Sequence, residues 1–184
     1  YQRDYSWEEE QWEDLWNDII DMTGRKEERH YMGALVVEGI NDREFSIIDG
    51  QQRLATLSII GLAVLKQLRT LIDSGVEPGD NEQRYDELRK RFIGEKDPAS
   101  LIESSKLYLN ENDNAFYQDY LVALRDPIVP RGLSQSNKSL WECFKYYAKQ
   151  LGKTPELSSQ GRALATLLNE TIARQLLFIL ITVD

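Results

Sequence analysis

Residues 45–60 read FSIIDGQQRLATLSII, and two apolar segments meet inside this stretch at a short run of small and polar residues. The first segment ends at Asp49 and is rich in β-branched and aromatic residues, which favours a strand. The second begins after Arg53 with apolar residues three and four positions apart, which predicts a helix. A buried strand that leads directly into a helix is therefore the feature on which the predicted fold is built.

The predicted helix extends from Gln51 to about Asp73 and is expected to lie at the centre of the fold. Its apolar face consists of Leu54, Leu57, Gly61, Leu65, Leu68 and Ile72, and Ile59, Ile60, Leu62 and Val64 widen that face. Because apolar residues cover more than one side, most of this helix should be buried.

The segments before the junction predict a helix and a hairpin. Ser6 and Glu9 have the spacing of a capping box, and the amphipathic pattern that follows them ends at Gly24. Residues 31–38 and 44–48 have the composition of strands and are joined by a short turn, so we expect a β-hairpin.

A loop at residues 74–80 separates this part from a mostly helical remainder. Helices are expected near residues 81–93, 99–109, 113–124, 137–151 and 158–173, followed by a last strand from Gln175 to Val183. The sequence thus predicts an α+β fold, in which a small sheet packs against a central helix and a mostly helical extension follows.

We expect this chain to be organised in three parts. Residues 1–75 form an α/β core, residues 76–174 a helical extension, and residues 175–184 a strand that returns to the core sheet. The chain begins without Met and ends in the apolar run LLFILITVD, and both features indicate a fragment of a longer chain.

Composition and charge restrict the possible functions. Of 184 residues, 41% are hydrophobic and 29% are charged, as in an ordinary globular domain. No apolar run approaches the roughly 18 residues that would span a bilayer, so no membrane partner is expected. The formal net charge of −9 disfavours nonspecific binding to nucleic-acid phosphates by this segment alone.

The single cysteine and the single histidine set further limits. Cys143 has Trp141 and Phe144 as neighbours, which predicts a buried thiol, and one cysteine cannot form an internal disulfide. A reducing, cytoplasmic location fits this composition best. One His and one Cys cannot form the usual zinc site, so a bound metal would need carboxylates, which suits Mg²⁺.

The residues at the strand–helix junction have the chemistry of a phosphate site. A helix that starts at Gly50 or Gln51 directs unpaired N–H groups and the positive end of its dipole outward. Gly50 allows a phosphate to approach the backbone, and the planar guanidinium of Arg53 suits two phosphate oxygens. Asp49 could hold Mg²⁺ or orient a water, and Gln51 and Gln52 could position a nucleophile or contact a base or sugar edge.

A purely structural interpretation accounts for the same residues. Asp49 is a good N-cap, Gly50 suits a turn, and the three residues that follow could be the solvated first turn of a buried helix. The N-terminal segment YQRDYSW has the same two interpretations. Arg3 either binds a second phosphate beside a stacking aromatic, or lies on the surface while Tyr5 and Trp7 pack on the core.

Considered together, YQRDYSWEEEQWEDLWNDI, HYMGALVV and IIDGQQRLATL resemble the N-terminal domain of the GmrSD-type restriction endonucleases, which are modification-dependent (type IV) phage-defence enzymes. The hallmarks of that family are a YQR-x-Y-x-W segment and an (I/V)DGQQR-L-T-T-L segment at about this separation. The only departure is Ala55, where the family commonly has Thr. The paired motifs cover residues 1 to about 60.

The resemblance implies a ParB/sulfiredoxin-like core that binds and hydrolyses a nucleotide, GTP or another NTP with Mg²⁺, at the DGQQR segment. It implies DNA restriction by the full-length protein, with the nuclease chemistry in an HNH-type domain on the same chain or on a partner chain. The family also carries an F-E-x-L-N-x-R-G motif after the strand that matches Leu176 to Val183. This sequence ends before that motif, so we expect the fragment to have an incomplete nucleotide site.

The favoured hypothesis is a nucleotide-hydrolysing regulatory domain of a restriction endonuclease. In it Asp49 and Gln52 are catalytic, and Asp49 also holds the metal. The expected phosphate-binding residues are Gly50, Gln51, Arg53, Arg3 and Gln2, with aromatic support from Tyr5 and Trp7. Two alternatives stay open: a DNA-binding or modified-base-sensing module without NTPase activity, and a structural scaffold in which the motif only caps a helix.

Overall fold

The computed structural model of the chain describes residues 2–127 and 131–184. Tyr1, the first residue of the YQRDYSW segment, lies outside the described residues. So do residues 128–130, within the connection expected between the predicted helices at 113–124 and 137–151.

Helices dominate the described residues. The α-helices are α1 (Glu9–Met22), α2 (Gln51–Asp73), α3 (Pro78–Phe92), α4 (Glu111–Phe116), α5 (Gln135–Lys153), α6 (Pro155–Ser159) and α7 (Gly161–Thr166). Two of them continue as π-helix, α4 through Tyr117–Val122 and α7 through Leu167–Gln175. The strands are β1 (His30–Gly39), β2 (Phe45–Asp49), β3 (Gly94–Lys96), β4 (Glu103–Ser105) and β5 (Leu176–Val183).

The main sheet has three strands in the order β2-β1-β5. β1 and β2 form the predicted antiparallel hairpin, with Val37 opposite Ile47. β5 pairs with β1 in parallel, with Leu180 opposite Leu35, so the long helical segment between them is a crossover connection. The α+β fold class is confirmed, whereas the ParB/sulfiredoxin-like identity of the sheet stays a prediction.

The central position of α2 is also confirmed, and its bounds are the predicted ones. α2 packs against α3 and α5, and Ile59, Ile60, Leu62, Val64 and Leu65 on it are fully buried. One apolar cluster combines residues of the first 75 positions with residues of the helices that follow. The division of the chain at residues 75 and 174 stays a prediction, because a shared core neither requires nor excludes it.

The prediction of a helix near residues 99–109 is wrong. In its place β4 pairs antiparallel with β3, so this region is a small hairpin. The Asp97 side chain accepts hydrogen bonds from the backbone N–H groups of Ala99 and Ser100, as a helix N-cap would. The turn ends at Leu101, whose φ of 60° lies in the left-handed region and does not continue a right-handed helix. The remaining predicted helices are present with shifted bounds.

The prediction of a capping box formed by Ser6 and Glu9 is also wrong. α1 begins at Glu9 with Glu8 as its N-cap, and the Gln11 side chain accepts from the Glu8 N–H at 2.9 Å. Ser6 lies upstream in an extended segment, where its own N–H donates to the Gln52 side chain. A tertiary contact of Ser6 therefore replaces the local one.

Among the described residues, α2 is the one helix long and apolar enough to cross a membrane by length and composition. Its most apolar window is 61% buried inside the protein. Burial of this extent is what the core helix of a globular domain requires, and the structure gives no indication of a membrane.

Candidate functional site

α2 begins at a glycine whose backbone conformation few other residues adopt. Gly50 is the N-cap, with φ of 101° in the left-handed region, and it is buried against β1. A Cβ at this position would lie 2.8 Å from Cδ1 of Leu35, so a side chain would be both strained and crowded. The interpretation of Asp49 as the N-cap is wrong, because the cap is the following residue.

The first backbone N–H groups of α2 have no side-chain partner among the described residues, and the N-cap, Gly50, has no side chain that could supply one. Amides at the start of a 23-residue helix, with the positive end of its dipole, favour an anion. The anion site that the junction sequence predicts at this helix start stays a prediction.

The Arg53 guanidinium is partly committed to the protein backbone. Its Nη1 donates to the carbonyl oxygen of Met32 at 2.6 Å and to that of Ala34 at 3.4 Å. Between these carbonyls lies Gly33, with φ of 104°, at an irregularity in the β1–β5 register. A Cβ on Gly33 would overlap Nη1. Arg53 therefore stabilises a bulge in β1, and only the rest of its guanidinium remains for a ligand.

The Gln52 side chain joins the two sequence motifs. Its Nε2 donates to the carbonyl oxygen of Asp4 at 3.0 Å, and its Oε1 accepts from the N–H of Ser6 at 2.8 Å. The amide thus pairs with an extended backbone segment as a neighbouring strand would. Both ends of the predicted catalytic amide are occupied, which favours a positioning role.

Gln51 and Asp49 have different environments, although both lie at the junction between β2 and α2. Nε2 of Gln51 donates to the carbonyl oxygens of Ile47 and Ile48, at 3.0 and 2.9 Å, and so fixes the end of β2. Asp49 is exposed, and the described residues provide no hydrogen bond to its carboxylate. Its oxygens remain available for a cation or a water.

A narrow polar cleft lies beside the start of α2. Its lining residues are Gln2, Arg3, Tyr5, Ile47, Gln51, Gln52, Ala55, Leu107, Tyr108, Leu109, Asn110 and Asp113. The space open to water inside it is about 20 Å³, little more than one water molecule needs. The structure thus brings Gln2, Arg3, Gln51 and Gln52 together, whereas Asp49, Gly50 and Arg53 lie outside the lining.

The N-terminal aromatics belong to the core. Tyr5 is buried, and its hydroxyl lies 2.8 Å from the Thr56 hydroxyl and accepts from the Trp12 indole at 2.9 Å. Burial raises the pKa of this phenol well above its usual value. Trp7 is half-buried and packs against the same core. Both rings therefore pack on the core, as the structural interpretation expects. Arg3 is exposed and lines the cleft.

The sequence analysis missed the far wall of the cleft, which belongs to the start of α4. The carboxylate of Asp113 is buried, accepts from the Tyr5 N–H at 2.8 Å, and also accepts from the Ser136 hydroxyl. The side chain of Asn110 caps α4 and also donates to the Asp4 carboxylate. The capping spacing of Asn110 and Asp113 was the available signal, but the helix expected over residues 99–109 obscured it.

In residues 2–127 and 131–184, no three His, Cys, Asp or Glu side chains converge as a metal site. Mg²⁺ commonly binds through one carboxylate, several waters and substrate phosphates, and does not need an all-protein cage. A free carboxylate at Asp49, beside an anion-attracting helix start, fits that mode of binding.

Comparison with known families assigns the class of the protein. The family model of the GmrSD restriction endonuclease N-terminal domain matches residues 1–184, the whole chain. The fold and the paired motifs are thus those of a restriction-endonuclease module, a class of protein that acts on DNA. The chain belongs to the GmrSD N-terminal domain family, as the resemblance of the two motifs indicates. No protein with a curated description matches it.

Proposed function

We propose that this domain binds and hydrolyses a nucleoside triphosphate with Mg²⁺, and that this activity regulates DNA restriction by the full-length protein. The observation that carries the proposal is the open N-terminus of α2, which no described side chain caps, beside a cleft lined by Arg3 and three glutamines. Backbone amides without a side-chain partner, a helix dipole and a nearby guanidinium together attract a polyphosphate.

The phosphates are assigned to the mouth of the cleft, because its interior admits only a water-sized group. The backbone amides of Gly50 and Gln51 bind phosphate oxygens, with Arg3 and Gln2 on the opposite side. The Nε and Nη2 groups of Arg53 add charge from the β1 side, since its hydrogen bonds to described residues use Nη1 alone.

Asp49 is assigned to Mg²⁺, which neutralises phosphate charge and activates a water when bound. Gln52 positions the backbone of the N-terminal segment, and through it Arg3, at the cleft. Its effect on turnover is therefore indirect. The nuclease chemistry is assigned to an HNH-type domain or partner chain, because one histidine in this sequence cannot supply it.

The test compares Asp49→Ala with Asp42→Ala in the full-length protein. Asp42 is an exposed acid in the turn between β1 and β2, so its variant controls for loss of a surface charge. We expect Asp49→Ala to lower NTP turnover by about a hundredfold or more without changing the urea midpoint, and Asp42→Ala to change neither. Wild-type turnover by Asp49→Ala would remove this site assignment.

The alternative, a DNA-binding or modified-base-sensing module without NTPase activity, has one observation in its favour. Arg84, Arg91 and Arg162 line a shallow groove between α3 and α7, although Glu87 and Glu170 line it as well. Such a module would bind DNA in the absence of nucleotide, with affinity falling steeply as salt rises. No DNA binding at low salt would exclude this alternative.

A further inference from the structure

The polar cleft opens into a larger groove. The two share Gln2, Ile47, Leu107, Tyr108 and Leu109, so they form one continuous depression. The larger part has about 710 Å³ of space open to water, against about 20 Å³ in the cleft. Only the larger part falls in the size range of small-molecule sites.

The floor of this groove is apolar. It is formed by one face of the main sheet and the first turn of α2, through Leu35, Val37, Ile47, Leu54 and Leu180. Amides and the Arg3 guanidinium lie at the α2 end, and aliphatic side chains lie over the sheet. The rest of the lining includes the polar side chains of Arg43, Glu44, Ser46, Ser105 and Lys106.

Two aromatic rings line the apolar part and remain exposed to solvent. Phe45 on β2 is 54% exposed, and Tyr108, between β4 and α4, is 56% exposed. Large apolar rings left in solvent beside a concave surface commonly mark a binding site.

Hydrogen bonds hold the Tyr108 ring and its segment in place. The Tyr108 hydroxyl accepts from the Ser105 N–H at 3.2 Å. The neighbouring backbone is held by Gln118, which donates to the Leu107 carbonyl at 3.0 Å, and by Asn114, which accepts from the Leu109 N–H at 3.0 Å. A ring held this way loses little conformational entropy when a ligand stacks on it.

We propose that the apolar groove binds the nucleobase of the nucleotide whose phosphates lie at the start of α2, and that Tyr108 stacks on that base. The inference rests on the proposed function and adds a base subsite to it. An anionic chain suits the α2 end of the groove, and a flat ring suits the exposed Tyr108 side chain, and a nucleotide combines the two. The polar edge of a base also suits the charged and hydroxyl side chains that line the groove beside its aliphatic residues, whereas an acyl chain or an apolar peptide would leave them without a partner.

The test is isothermal titration of the full-length protein with Mg-GTP, Mg-ATP and Mg-tripolyphosphate. Tripolyphosphate carries the phosphate chain without a base. We expect the better-bound NTP to bind at least about tenfold more tightly than tripolyphosphate, which is the contribution of one stacked base. Tyr108→Ala should reduce NTP affinity to that of tripolyphosphate and leave tripolyphosphate affinity unchanged.

Two variants serve as controls. Tyr108→Phe keeps the ring and should retain most of the NTP affinity. Tyr31→Ala removes a tyrosine of similar exposure, 57%, that does not line the groove, and should leave NTP affinity unchanged.

The possible failures are distinguishable. Equal affinities for NTPs and tripolyphosphate, or a Tyr108→Ala effect of the same size on both, would overturn the base subsite and leave the phosphate site standing. Absence of binding by every one of the three ligands would overturn the proposed function and the base subsite together.

Discussion

At the scale of single residues, Gln52 links the motifs that define the family. Its amide donates to Asp4 and accepts from Ser6, and so holds the N-terminal segment against the first turn of α2. An amide is the one ordinary side chain of this length that offers a donor and an acceptor at once. These two hydrogen bonds favour a positioning role for Gln52, and its catalytic role stays a prediction.

We expect Gln52→Glu to lower the free energy of unfolding by about 1–3 kcal/mol, because a carboxylate cannot donate to the Asp4 carbonyl and is repelled by it. Urea unfolding measures this change. Gln135→Glu makes the same substitution at an exposed position in the first turn of α5, where a negative charge suits the helix dipole, and should not destabilise the protein. Equal stability of the two variants would contradict the role of Gln52.

At the scale of elements, the close packing of β1 against the start of α2 depends on two glycines. Gly33 provides the bulge over which Arg53 lies, and Gly50 provides the left-handed cap of α2 close to Leu35. Both have positive φ values that other L residues adopt only with strain. The strand and the start of the helix can approach closely only because neither glycine carries a Cβ.

We expect Gly33→Ala to destabilise the protein by about 1–3 kcal/mol or more, through backbone strain and displacement of the Arg53 guanidinium. Gly39→Ala is the matched control in the same strand, since a Cβ there meets nothing within 4 Å. Thermal unfolding of the two variants checks the prediction. A Gly33→Ala midpoint as high as that of Gly39→Ala would mean that the bulge does not constrain Arg53.

At the scale of the whole molecule, one core buries several groups that would ionise at alkaline pH. Burial raises the pKa of Tyr117 to about 12. Burial also raises the pKa values of Tyr5, Tyr147 and Cys143. Cys143 is fully buried, so the prediction of a buried thiol is confirmed. These groups come from the N-terminal segment, the π-helix after α4, and α5, and they tie the N-terminal segment to the later helices.

These pKa shifts predict a loss of stability at high pH. The unfolded state releases the Tyr117 proton near pH 10 and the folded state near pH 12. The stabilisation is therefore complete below pH 10, falls as pH rises through that interval, and amounts to on the order of 2 kcal/mol for this group. Urea unfolding at several pH values from 8 to about 11.5 measures the effect.

Tyr117→Phe should show a shallower fall with pH, because one titrating group is removed. Tyr31→Phe alters an exposed phenol and should keep the wild-type slope. A free energy of unfolding that stays constant across the alkaline range would contradict the burial of these groups.

Local pattern alone determined the bounds of α2, the β1–β2 hairpin and the α+β class, because periodicity and turn chemistry act within a few residues. The family was indicated by the resemblance of the paired motifs. Only the tertiary structure decided where the polar side chains of the junction point. Arg53 has its partner 21 residues away, Gln52 has one 48 residues away, and Asp113 meets Tyr5 across 108 residues. Such contacts depend on how the sheet, α2 and α4 pack together, and sequence spacing carries no information about that packing.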